Sequence, residues 1–154
     1  MDVFELEWAS DPQVSPDGKK IVYVRKSNDI MKDRVRSSLW QIDITGKNHR
    51  PINSGLKNSY SPRWSPDKQK LAFVSNISGS TQIHMQWLNS GETAVISQLQ
   101  DSPSSLSWSP DGKWLAFTMN VKAESESIAE EREKPDGASS VSYTHLTLPT
   151  ILLV

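Results

Sequence analysis

The sequence predicts an all-β chain assembled from a repeated four-stranded antiparallel unit, on three observations. First, one turn recurs. Ser15-Pro16-Asp17-Gly18, Ser65-Pro66-Asp67-Lys68 and Ser109-Pro110-Asp111-Gly112 lie fifty and then forty-four residues apart. Second, the flanks recur with it. Val14, Trp64 and Trp108 stand before the turn, and KKIVYV, QKLAFV and KWLAFT follow it, so that Ile21, Leu71 and Leu115 correspond, as do Tyr23, Phe73 and Phe117. Third, the segments beyond the turn alternate with the period of two that marks strands.

Each element follows from local chemistry. Pro at the second turn position presets φ, and Gly at the fourth accepts a left-handed backbone. Lys68 takes that fourth position in the second copy, and a positive φ there costs about 1 kcal/mol. The second copy reads as strands at 61–65, 69–76, 82–88 and 93–99. The first reads as strands near 12–15, 19–26, 39–44 and 50–53. The second strand of each unit is apolar on both faces, as in Ile21-Val22-Tyr23-Val24, which suits a sheet stacked between two others. In the third strand Trp40, Ile42 and Ile44 point one way and Gln41 and Asp43 the other. Ile83, Met85 and Trp87 repeat that alternation, with Gln82, His84 and Gln86 opposite.

Four strands in a unit of about 40–50 residues is the signature of a β-propeller blade. The chain therefore reads as a partial β-propeller of about two and a half blades over residues 1–138. Blade 1 spans about 11–54, blade 2 about 60–100, half of blade 3 about 104–121, and a charged loop 122–138. Propellers have about 4–8 blades, so the chain reads as a fragment with open sheet edges, and the isolated chain is expected to be poorly soluble or to aggregate. The stretch VSYTHLTLPT (Val141 to Thr150) resembles the translation of a transposase-based sequencing adapter. Residues 139–154 are accordingly read as a non-native tail and set aside from the fold.

Composition narrows the function. Among 154 residues the net charge is −1, which gives no electrostatic case for nucleic acid. No apolar run reaches the roughly 18 residues of a membrane helix. The chain has no cysteine, which excludes disulfides, thiolate catalysis and cysteine-based zinc sites. No signal peptide is visible at the start, and the compartment stays open between cytoplasm and periplasm.

Candidate chemistry is sparse. No two glycines stand four apart, so there is no Gly-x-Ser-x-Gly nucleophile elbow. His49, His84 and His145 are too far apart for a His-Glu-x-x-His metal motif. His84, on the polar side of its strand, reads as a surface or cleft residue. Asp17, Asp67 and Asp111 hold one repeated turn position, which favours a turn role over catalysis. Trp64 and Trp108 likewise favour packing over ligand stacking. Asn76-Ile77-Ser78 matches a glycosylation acceptor, a tripeptide common by chance. The connections between second and third strands, Ser27 to Ser38 and Val121 to Gly137, are long and share one face of the disc, which marks a candidate partner-facing surface.

The stretches DVFELEWASDPQVSPDGKKIVYVR, NDIMKDR, SSLWQID, SPRWSPDKQKLAFVS and DSPSSLSWSPDGKWLAFTMN together resemble the N-terminal propeller of the prolyl oligopeptidase family. The branch they resemble is the bacterial acylaminoacyl-peptidase and dipeptidyl-peptidase type, over about Asp2 to Gly137. The resemblance implies a propeller of about seven or eight blades capping a C-terminal α/β-hydrolase domain that holds the Ser, Asp and His of the triad. That domain is absent here, so no catalytic, cofactor-binding or metal residue and no cofactor is carried over. The implied partners are the hydrolase domain and peptide substrates. Ser-Pro-Asp-Gly blades also occur in TolB-type propellers, which leaves a second reading, a protein-binding module without catalysis.

Overall fold

The computed structural model describes residues 6–53, 57–122 and 145–153. Sheet 1 holds β1 (Glu7–Val14), β2 (Lys20–Asp29), β3 (Arg34–Asp43) and β4 (Arg50–Pro51), in that order. Sheet 2 holds β5 (Ser59–Trp64), β6 (Lys70–Ser75), β7 (Gln82–Trp87) and β8 (Thr93–Val95). Sheet 3 holds β9 (Pro103–Trp108), β10 (Trp114–Lys122) and β11 (His145–Leu153), with β10 central. Every pairing is antiparallel. The first strands β1, β5 and β9 touch across the sheets, whereas the short β4 and β8 make their main contacts within their own sheets. The sheets therefore fan out from their first strands, as propeller blades do.

The core lies in the two seams between sheets. Phe73 of sheet 2 packs against Val24 and Leu39 of sheet 1. Leu106, Leu115 and Phe117 of sheet 3 pack against Ala72, Val74, Ile83 and Met85 of sheet 2. The two faces of β6 thus serve two neighbours, as its unbroken apolar run requires. Each fully buried Phe or Leu contributes roughly 1.5–3 kcal/mol. On the outer side of sheet 1, Ile21, Tyr23, Trp40 and Ile42 remain half-buried, because no sheet among the described residues covers them.

A device that the sequence did not signal recurs in the first strands. Asp11, Ser61 and Ser105, each four residues before its turn serine, have φ of 49°, 53° and 52°. The ladders slip at the same places, between Ser10 and Gln13, between Tyr60 and Arg63, and opposite Ala116 to Thr118. These are β-bulges, which bend the strand and add twist. They lengthen the first strands beyond the predicted limits, to Glu7 in β1 and Ser59 in β5.

Three readings are corrected. Ser27 to Ser38 is not a long loop. The β2–β3 ladder continues through Asn28↔Val35 and Asp29↔Arg34, and only a single 3₁₀ turn, Ile30–Lys32, joins the strands. Arg36 anchors this hairpin on Asp29, with Nη2 2.5 Å from the carboxylate. The third strands are also offset by one residue from the predicted match. Tyr23 pairs with Trp40 and Phe73 with His84, so His84 holds the place of Trp40. It follows that His84 is not on the surface. Its side of β7 faces sheet 1, and the residue is 2% exposed.

β11 pairs with β10 over nine residue pairs, Trp114↔Leu153 through Lys122↔His145. It falls within 139–154, the stretch read as adapter-derived. An extended segment can pair along any open strand edge, and the adapter reading of 139–154 stands as a proposal.

Candidate functional site

The three repeated turns share one hydrogen-bond design. Each serine hydroxyl donates to the turn aspartate, at 2.6 Å in the first copy and 2.5 Å in the other two. The same aspartate accepts from the backbone N–H of Lys19, Gln69 or Lys113 at 3.0–3.1 Å. The serine oxygen in turn accepts from the N–H of Lys20, Lys70 or Trp114 at 2.8–2.9 Å. The fourth residue has φ of 69°, 65° and 69°, and the 65° belongs to Lys68. The serine hydrogen bond comes first, and the backbone donor second, in holding Asp17, Asp67 and Asp111 below the usual carboxylate value of 3.8. Carboxylates so engaged shape the turn.

The first strands are joined across the seams by side chains. Arg63 Nη1 lies 2.9 and 3.0 Å from the two carboxylate oxygens of Asp11 in β1. Its Nε donates to the Leu106 carbonyl of β9 at 3.1 Å. One arginine therefore spans all three sheets where they converge. The turn tryptophans repeat a second link. Trp64 Nε1 donates to the Gln13 carbonyl, and Trp108 Nε1 to the Arg63 carbonyl, each at 3.1 Å. Each indole reaches the preceding sheet at an equivalent carbonyl, so the tryptophans combine packing with a hydrogen bond that fixes sheet order.

Two clefts flank the seam between sheets 1 and 2. On the turn side a cleft of about 330 Å³ is lined by Asp17, Lys20, Gln41, Arg50, Trp64 and Lys68, among others. Near the bulges a cleft of about 380 Å³ is lined by residues including Asp11, Lys26 and Tyr60. Buried in the same seam, His84 stacks on Phe73 with ring centroids 5.6 Å apart. Its Nδ1 lies 3.2 Å from the Gln82 carbonyl, and its Nε2 has no partner among the described residues. Burial pushes its pKa below 6.5, only partly offset by the Gln82 carbonyl. It is therefore a neutral core imidazole with Nδ1 as the donor. His49 lies elsewhere, on the open face of sheet 1, where its Nε2 is 2.6 Å from the Tyr23 hydroxyl.

Among the described residues no cluster of His, Asp and Glu could hold a metal ion. No described helix is long and apolar enough to cross a membrane. Asn76 accepts from the Asn58 N–H at 2.8 Å, so its amide closes a loop. The charged loop lies almost wholly outside the described residues.

Comparison with known proteins agrees with this architecture. Residues 20–128 match the family described as TolB beta propeller domain. The chain is 33% identical over 99 residues to the uncharacterized peptidase YuxL of Bacillus subtilis, an alignment covering 64% of this chain and 15% of that protein. It is 40% identical over 58 residues to the Tol-Pal system protein TolB of Haemophilus influenzae, covering 38% of this chain and 14% of that protein. Among solved structures, acylaminoacyl peptidase of Pyrococcus horikoshii superposes with a TM-score of 0.66 at 19% identity, over 86% of this chain and 20% of that one. The chain thus spans about a fifth or less of each of these proteins.

Proposed function

Given that the chain belongs to the TolB beta propeller domain family, we propose that it is a section of the gating propeller of a serine peptidase of the prolyl oligopeptidase family. One observation carries this reading. The alignment to the Bacillus peptidase runs over 99 residues, against 81 for the TolB protein of Hydrogenovibrio crunogenus and 58 for that of Haemophilus influenzae. In the proposed parent, the ring of sheets narrows the path to a C-terminal α/β-hydrolase domain and admits short peptides. The Asp11–Arg63–Leu106 link supports this role, because it ties together the first strands that would wall the central passage. The catalytic serine, aspartate and histidine belong to the proposed hydrolase domain.

The test compares the parent enzyme with and without its propeller. Cleavage of a short chromogenic peptide and of an unfolded protein is measured for both. The reading predicts that only the form without the propeller cuts the unfolded protein. Equal exclusion by both forms overturns it. The 40% identity to TolB supports a second reading, a propeller that binds a protein partner. That reading predicts a parent with no peptidase activity.

A further inference from the structure

The turn tryptophans occupy matching sites on successive sheets, and the last sheet carries such a site unfilled. Trp64 reaches the Gln13 carbonyl of sheet 1, and Ser15 and Lys20 line the same cleft as its indole. Trp108 reaches the Arg63 carbonyl of sheet 2, packs against the cluster that contains Ala72, and lies 5.9 Å beneath Lys70 Nζ. In sheet 3 the repeat places Ser107 at the position of Arg63, Trp114 at that of Lys70 and Ala116 at that of Ala72. Those residues, with Trp108 and Ser109, line a mainly apolar depression of about 450 Å³. Trp114 is 44% exposed there.

We propose that this depression is a tryptophan site that takes the indole of a Trp-Ser-Pro-Asp turn on the sheet following in the parent chain. The proposal rests on the reading of the chain as a section of a larger propeller. The indole N–H donates to the Ser107 carbonyl, as Trp64 and Trp108 donate to Gln13 and Arg63. Its ring lies between Ala116 and Trp114, where an aromatic neighbour replaces the lysine of sheet 2. Sheet 1 cannot fill the site in a second copy, because Val14 stands where the donor tryptophan belongs.

The 154-residue chain tests this with a blocked pentapeptide, acetyl-Trp-Ser-Pro-Asp-Gly-amide, followed by saturation-transfer NMR. Binding with a dissociation constant on the order of 1 mM is expected, with the indole protons receiving most saturation. The counterpart with Phe, which lacks the N–H, should bind about tenfold more weakly. Ala116→Glu should abolish binding. Equal binding of the Trp and Phe peptides, or binding undiminished in the Ala116→Glu chain, overturns the proposal. A second variant does not depend on the weak peptide. Val14→Trp, at a position 58% exposed, supplies the missing indole on sheet 1. It should tighten head-to-tail self-association about tenfold in sedimentation equilibrium, and unchanged association overturns the proposal. Neither readout depends on which domain follows the propeller, so the peptidase reading stands or falls separately.

Discussion

Replacing Ser65 by alanine tests the turn design at its most buried copy. The residue is 0% exposed, and its hydroxyl lies within hydrogen-bond distance of the Asp67 carboxylate, the Lys70 N–H and the Lys70 carbonyl. Alanine keeps the backbone and removes only these bonds. Leaving the partly buried Lys70 N–H unpaired costs about 1–2 kcal/mol. Loss of the bond to the exposed Asp67 adds about 0.5–1 kcal/mol after solvent screening. The total of about 1.5–3 kcal/mol corresponds to a fall in Tm of roughly 3–12 °C. Ser15→Ala, at 8% exposure, should cost less, and Ser109→Ala, at the half-buried third turn, least. Thermal unfolding followed by circular dichroism reads all three variants. A cost below about 0.5 kcal/mol for Ser65→Ala, or a larger cost at Ser109, would refute the argument that the hydroxyl holds the turn.

Further expectations concern strain, acid and the seam. Lys68→Gly relieves a left-handed residue at φ 65°. The relief of about 1–2 kcal/mol at least offsets the entropy cost of glycine, about 0.5–1 kcal/mol, so a gain of about 0–1.5 kcal/mol should appear in urea unfolding, and a loss contradicts the strain account. His84 has a lowered pKa, so the unfolded state binds its proton more readily. Stability present above about pH 6.5 is therefore lost as pH falls below that value. His84→Phe should flatten this limb, and an unchanged pH profile would exclude His84 as its source. The three turn aspartates, also lowered, add a second loss as pH falls below 3.8. Trp108→Phe keeps an aromatic ring but drops the bond to the Arg63 carbonyl. It should destabilise by about 1–2 kcal/mol in chemical denaturation, and a neutral result would reduce the role of Trp108 to packing.

Much of the fold was legible because its signals are local. The Ser-Pro-Asp turn sets its own φ and supplies its own acceptors, so three copies announced three hairpins. The unbroken apolar run of Leu71 to Val74 announced a sheet covered on both faces. What stayed hidden was non-local. Alternation along β3 and β7 shows that side chains alternate, but not which neighbour each face meets, so Trp40 was matched to Ile83 and not to His84. His84 looked solvated for the same reason, since a polar residue between two sheets reads like one facing water. The bulges at Asp11, Ser61 and Ser105 carry no glycine to signal a positive φ. The hairpin at Asn28 to Val35 reads as a loop because Asn28, Asp29, Lys32, Asp33 and Arg34 break any alternation of apolar and polar side chains, while its ladder is made by the backbone. At the candidate site, the tryptophan repeat was visible in the sequence. Its donor role needed the distances to Gln13 and Arg63.

These sheets are proposed to be consecutive blades of a larger propeller that gates a hydrolase. A long read across the gene, from upstream of Met1 to well past Ser139, decides between the two readings. For a peptidase propeller, the segment from Ser140 should be replaced by coding sequence for further Trp-Ser-Pro-Asp blades, running into Gly-x-Ser-x-Gly with a later Asp and His. A frame that closes after the propeller with no hydrolase domain would contradict it.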